Sequence, residues 1–175
     1  MNEIILAMKE RRSIRKFKPD MISQEEIDQI IEAGLYAASG RGKQAVITLA
    51  VTNKTVRDHL SQINCKIGGW ESGFDPFYGA PVVLIVLANR NCATHVYDGS
   101  LVMGNMMLAA HSLGLGSCWI HRAKETFETK EYKDFLISLG ISEEYEGIGH
   151  CVVGYIDGDC PKATPRKEHR VYYVR

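Results

Sequence analysis

The chain lacks any apolar run approaching the roughly 20 residues that a membrane-spanning helix needs. Its longest apolar stretch, Ala80–Ala88, has the length of a buried strand. The opening residues, MNEIILAMKERR, hold too short an apolar run for a secretory signal. Cysteine is sparse and irregular: Cys65, Cys92, Cys118, Cys151 and Cys160 form no C-x-x-C pair, which argues against a zinc site and a dithiol redox motif. An odd number of thiols at such spacing predicts a reducing, cytoplasmic compartment. Net charge is absent too, with 21 basic against 21 acidic residues, so the broad cationic footprint of a nucleic-acid binder is missing. No G-x-S-x-G elbow, H-E-x-x-H or Walker A sequence occurs, and Gly114-Leu-Gly116 completes only the start of a dinucleotide fingerprint. The six histidines are scattered, and His150 lies in a strand pattern where a packed core histidine is the simplest reading. Hydrolytic, metal and dinucleotide-fold chemistries therefore have no visible carrier.

Repeats, low-complexity segments and linkers are also missing. The 175 residues are expected to form one domain, 1–175, able to bury roughly 70% of its unfolded surface. Ser23 and Glu26 form a capping box that opens an amphipathic helix through Ala38. Val46–Thr52, Pro81–Ala88, Gly116–His121 and Gly149–Ile156 read as strands. Asn53 caps a helix ending near Ile63, and residues 64–79 form a long Gly- and aromatic-rich loop of the kind that is commonly functional. Val96–Leu113 is apolar on nearly every side, which predicts a helix buried all round, most easily in a dimer interface. Gly114 is expected to stop it in a left-handed conformation, as Gly140 stops a helix over Glu125–Leu139.

What is present in excess is one local concentration of cations. Lys9, Arg11, Arg12, Arg15, Lys16 and Lys18 crowd around Ser13. Two readings stand on composition. The run is a solvated helix end, its cations complementing the dipole by about 0.3–1 kcal/mol each. Alternatively, the guanidinium groups and the Ser13 hydroxyl seat one phosphate group. Three further segments bear on the choice: the glycine-containing loop Ala38–Gln44, the stretch Gly114–Arg122 that ends in Trp119-Ile-His-Arg122, and Pro165-Arg-Lys167 near the C-terminus.

In order along the chain, R-R-S-I-R-K-F (Arg11–Phe17), S-G-R-x-x-Q (Ser39–Gln44), A-P-V-V-L-I-V-L (Ala80–Leu87), G-L-G-S-C-W-I (Gly114–Ile120) and V-V-G-Y…P-R-K (Val152–Lys167) resemble the FMN-dependent nitroreductase family. The resemblance implies an α+β fold with a central, mostly antiparallel sheet flanked by helices. It implies an intertwined homodimer with FMN in the interface and the C-terminal tail reaching over the partner. By that likeness Arg11, Arg12, Ser13 and Arg15 would bind the FMN phosphate and ribityl chain, joined by Arg166 and Lys167. Ser39, Gly40 and Gln44 would approach the same flavin from the other subunit. Trp119, Ile120, His121 and Arg122 would line the isoalloxazine ring. The implied activity is ping-pong hydride transfer from NADH or NADPH through flavin N5 to a nitroaromatic, quinone or related acceptor, with no catalytic protein base, no metal, and neither nucleic acid nor membrane as partner. A flavin-binding storage or sensing protein is the alternative.

The chain departs from the family pattern on the substrate side. Relatives read P-S-x-x-N-x-Q-P-W where this chain has Ala38, Gly42, Ala45 and Val46. Arg122 would either attract an anionic substrate or nicotinamide phosphate, or pair with Glu125. Trp70, Phe74 and Phe77 are expected to cover the flavin or to pack in the core.

Overall fold

The computed structural model describes residues 2–175. Asn2 caps helix α1 (Glu3–Glu10), its side chain accepting the Ile4 amide at 2.9 Å. An extended segment, residues 11–18, leads to α2 (Gln24–Leu35). Here the predicted capping box is complete: the Ser23 hydroxyl accepts the Glu26 amide, and the Glu26 carboxylate accepts the Ser23 amide. The helix ends short of Ala38, as the chain turns off through a single 3-10 turn at Gly40–Gly42. There follow β1 (Val46–Val51), α3 (Lys54–Gly68), β2 (Val82–Asn89), α4 (His95–Ser112), β3 (Gly116–Ile120), α5 (Ala123–Glu128), α6 (Lys130–Ser138) and β4 (Tyr145–Gly154).

The four strands form one sheet in the order β1-β2-β4-β3, and every neighbouring pair is antiparallel. This is the expected α+β architecture. Strand β2 is buried on both faces, as its unbroken apolar run requires. Its period of two divides the core. Val83, Ile85 and Leu87, with Cys118, Ile120 and Val152, pack against Leu60 of α3, Phe127 of α5 and Leu136 of α6. Val82, Leu84 and Val86, with Cys151 and Val153, pack against Ile27 and Ile30 of α2 and Met103 and Met106 of α4. Each such side chain, taken fully out of water, contributes roughly 1.5–3 kcal/mol.

Several elements differ from expectation. Helix α3 runs on to Gly68, since buried Asn64 gives its amide to the His121 carbonyl at 2.8 Å, a tertiary bond that local propensity cannot show. It ends at left-handed Gly69, whose N–H and that of Trp70 return to the Lys66 and Cys65 carbonyls. The single helix expected over Glu125–Leu139 is two, because Thr129 is extended (φ −67°, ψ 149°) and its hydroxyl caps α6 at the Tyr132 amide. Strand β4 begins at Tyr145 and not Gly149. Pairing with Leu87–Asn89 draws in Tyr145-Glu-Gly147 across a bulge, although these residues carry no strand signature of their own. Gly114 and Gly140 do stop their helices with φ of 76° and 74°.

Helix α4 is not buried all round within one chain. It buries Val102, Met103, Met106 and Ala110 and leaves Tyr97 (72% exposed) and Leu101 (48%) in solvent. Ile4, Ile5 and Met8 of α1 are likewise exposed. From Gly158 onward every residue is exposed and none belongs to a helix or strand. No helix among the described residues is long and apolar enough to cross a membrane. All five cysteines are free, four of them buried.

Candidate functional site

The cationic segment is held against the sheet by its own backbone. The Ile14 amide donates to the Ser117 carbonyl at 3.0 Å, and Ser13 bridges to Ser117 beside edge strand β3. Farther along, Lys18 N–H donates to the Tyr155 carbonyl and Asp157 N–H to the Lys16 carbonyl. Ile14 and Phe17 point into the core, at 4% and 7% exposure. Gly116 makes room for this docking, since a Cβ there would lie 3.0 Å from Ile14 and 2.9 Å from Ile156. Arg15 and Lys16, between these two buried side chains, are exposed.

Arg11, Arg12, Ser13 and Arg15 therefore collect beside the start of β3. Burial pushes the Cys118 thiol up, while the Arg15 cation, the Ser13 hydroxyl and the Arg11 cation pull the other way. Arg11 acts in the same direction on Cys151, whose thiol burial drives up to about 12. Arg12 turns one guanidinium nitrogen to the Lys9 and Arg11 carbonyls, at 2.6 and 2.7 Å. Nη1 of Arg11 and Nε of Arg12 are buried with no hydrogen-bond partner. None of the three arginines has an acidic partner among the described residues, whereas Lys16 pairs with Asp157 at 2.8 Å on the surface. A buried N–H left unsatisfied costs about 1–3 kcal/mol, more on a charged group, so these two guanidinium groups hold donors that the chain itself does not use.

Strand β3 carries the chain from this cluster to Trp119–Arg122. The Trp119 ring packs with the α2/α4 core over Gly149, and Ile120 packs in the opposite core. Both can meet a ligand only by backbone or ring edge. His121 is exposed, and Arg122 sits in a left-handed conformation (φ 75°). Arg122 makes no ion pair with Glu125; its guanidinium lies 4.4 Å from the Trp70 ring centroid. Phe77 is wholly buried against His150 and covers nothing, while Trp70 and Phe74 remain at 40% and 41% exposure.

The remaining predicted residues lie elsewhere in the chain. Gly40 is tied to the first turn of α4, its N–H meeting both Asp98 oxygens at 3.1 Å, and the Ser39 hydroxyl accepts the Gln44 amide at 2.8 Å. The other cluster meets α4 at Met107, whose carbonyl accepts from Ser117. About 14 Å of helix separates the two anchor points. Arg166 and Lys167 sit in the exposed tail. One chain thus joins Arg11–Arg15 to Trp119–Arg122 but brings neither Ser39–Gln44 nor Arg166-Lys167 to them.

Asn64, Arg57 and Asp75 escaped the sequence reading. Asp75 accepts from Arg57, Ser61 and the amides of Phe77 and Gly79, fixing the loop after α3. The only sequence signal was an Asp-Pro pair closing an aromatic loop, which marks a turn and no partner.

The chain matches the model described as the Nitroreductase family over residues 8–67 and 69–155. It is 30% identical over 139 residues to a Bacillus subtilis protein named FMN reductase [NAD(P)H], covering 67% of this chain and 53% of that one. It is 33% identical over 129 residues to an NADPH-flavin oxidoreductase of Vibrio harveyi, covering 69% and 54%. The chain thus spans about half the length of these relatives. Among solved structures, a nitroreductase with bound FMN from Bacteroides fragilis superposes with a TM-score of 0.91 at 28% identity over 100% of both chains. An FMN-dependent nitroreductase from Clostridium difficile gives 0.85 at 27% identity over 99% of both. With the family pattern running from the cationic segment through the end of β4, the chain belongs to the Nitroreductase family.

Proposed function

We propose that this chain is a single-domain, cytoplasmic, FMN-dependent oxidoreductase that takes hydride from NADH or NADPH and passes it, in a ping-pong cycle, to a nitroaromatic, quinone or related acceptor. The observation that carries the reading is the pair of buried, partnerless guanidinium nitrogens on Arg11 and Arg12, beside Ser13 and Arg15. The FMN phosphate fits them: it is a compact dianion whose oxygens accept from forked donors, each charged hydrogen bond contributing about 1.5–3 kcal/mol. When bound, FMN would supply the hydride chemistry, which accounts for the absence of a visible acid–base dyad. The protein's part is to hold and orient. Arg11, Arg12, Ser13 and Arg15 would anchor the phosphate end, and the Trp119–Arg122 backbone would run along the ring.

We infer a homodimer with FMN at the interface, because Ser39, Gly40, Gln44, Arg166 and Lys167 of the expected ligands lie remote from the cluster in one chain. Ser39, Gly40 and Gln44 from a second copy would complete the seat. The exposed apolar faces of α1 and α4 and the Val171–Val174 tail supply contact surface for that copy.

A visible spectrum of the purified protein, before and after reconstitution with FMN, tests the reading. Bound flavin that bleaches on anaerobic mixing with NADH or NADPH is expected. No FMN uptake overturns the proposal, and uptake without bleaching makes the protein a flavin carrier. Arg11→Ala and Arg15→Ala should each weaken FMN retention about tenfold or more, from the loss of a charged hydrogen bond. Lys18→Ala should leave retention unchanged; equal retention in all three variants would refute the seat.

A further inference from the structure

Asn64 is wholly buried in the last part of α3. One side-chain N–H donates to the His121 carbonyl at 2.8 Å, just past the end of β3, while Oδ1 is buried and accepts nothing. A buried amide with its acceptor left unsatisfied is costly, so the packing of α3 does not by itself account for this residue. Its one tertiary bond does. His150, opposite Ile120 across β3 and β4, makes no hydrogen bond from either ring nitrogen, so it does not share the carbonyl.

That bond orients one peptide. In a planar trans peptide the carbonyl and the following N–H point in opposite directions, and no peptide among the described residues is cis. Holding the His121 carbonyl toward α3 therefore turns the Arg122 N–H away from α3. This N–H has no backbone acceptor among the described residues. Arg122 itself is left-handed, at φ 75° and ψ 16°, a conformation that a non-glycine residue keeps only where its neighbours impose it. Three neighbours do so. Asn64 fixes the peptide before it. The N–H and the hydroxyl of Thr126 both donate to the Arg122 carbonyl, at 3.0 and 2.9 Å. The guanidinium is seated 4.4 Å from the Trp70 ring centroid.

We propose that Asn64 is a positioning residue for the flavin: by holding the His121 carbonyl it aims the Arg122 N–H at the ring and so raises the flavin's reduction potential. The inference rests on the flavin reading above and adds to it a residue that, being wholly buried, lies out of the cofactor's reach. A hydrogen-bond donor fixed against the ring favours its electron-rich reduced form over the oxidised one. The protein's share in the chemistry is then set from behind the strand, by a side chain on a neighbouring helix.

Equilibrium redox titration of the FMN-loaded full-length chain tests this. Asn64→Leu keeps the number of side-chain heavy atoms and removes the donor. It should weaken binding of reduced flavin about tenfold more than that of oxidised flavin, which lowers the two-electron midpoint potential by about 30 mV. Asn64→Ala, which adds no atoms, should do the same and is read in its place if the leucine variant fails to fold. Ser61→Ala is the control. It removes a buried hydrogen bond, to Asp75 at 2.6 Å, one turn back on the same helix, and should leave the potential unchanged whatever it costs in urea unfolding. An unchanged potential in folded, FMN-loaded Asn64→Leu overturns the proposal. So does an equal shift in Ser61→Ala, which would mean that the packing of α3 as a whole moves the potential. If the unaltered chain takes up no FMN, the flavin reading falls and this inference with it; uptake with an unmoved potential removes this inference alone.

Discussion

Residues 11–18 and residues 158–175 are both extended, both rich in cations, and both expected to reach the same phosphate. They differ in what holds them. The first segment sends Ile14 and Phe17 into the core and spends its backbone on β3 and the end of β4. The second has Val171, Tyr172, Tyr173 and Val174 at 69–99% exposure, and no residue beyond Asp157 is even partly buried. An extended peptide is ordered when some of its side chains find a place in the core and its amides find acceptors. Both conditions are met at the N-terminal segment and neither at the tail. The tail's apolar residues nonetheless need a partner surface, and the exposed faces of α1 and α4 are of that kind. Under the proposed dimer the two segments would be halves of one site, the first finished by folding and the second by association.

The largest test of that contrast is Phe17→Ala. Truncating a ring at 7% exposure, bridged to Ile156 by its backbone, should cost about 3–5 kcal/mol in urea unfolding. Tyr172→Ala should change stability by no more than about 0.5 kcal/mol. A loss below about 1 kcal/mol at Phe17 would mean that the N-terminal segment is laid on the body and not part of it.

The sequence made the sheet legible because each strand carries its own signal, and the capping box at Ser23 and Glu26 is local by construction. The cationic cluster was also legible, since six cations within ten residues stand out against a neutral chain. What stayed hidden was set by tertiary contact. Asn64 extends α3 only through a carbonyl 57 residues away, and Tyr145–Gly147 become strand only because β2 offers partners. Arg122 illustrates the same limit. Its charge suggested either a substrate anion or Glu125, whereas a left-handed backbone swings it onto Trp70, a residue remote in sequence. The separation of Ser39–Gln44 from the arginines is likewise invisible in a string that merely places them in order.

An intermediate effect sharpens the comparison through pH. Strand β4, which anchors residues 16–18 at its end, carries His150, wholly buried against Phe77 with neither ring nitrogen hydrogen-bonded. Burial lowers its pKa from 6.5 to about 4, while the nearby Ile120 and His121 backbone offsets this only in part. The unfolded chain therefore takes up a proton on falling through 6.5 and the folded one does not until about 4. Stability should be level above pH 6.5 and fall by about 3 kcal/mol between there and pH 4. His150→Gln should flatten that window whatever it does to the plateau, whereas deleting residues 160–175 should leave the slope in place. A slope that persists in His150→Gln would assign the acid response to other groups.

The smallest expected effect on the fold is the deletion of residues 160–175 itself. Every residue removed is exposed, and the element boundaries lie upstream, so unfolding measured at low protein concentration should shift by no more than about 0.5 kcal/mol. Association should behave differently. The tail holds Arg166 and Lys167 and the exposed apolar residues Val171–Val174, so its loss should weaken both the sedimentation dimer and FMN retention while the Arg11–Arg15 cluster stays formed. If the shortened chain dimerises and retains flavin as the full chain does, the tail has no share in the site, and the N-terminal segment alone would carry the phosphate. If instead its unfolding midpoint collapses, the tail is folded against its own body, and the contrast between the two segments disappears.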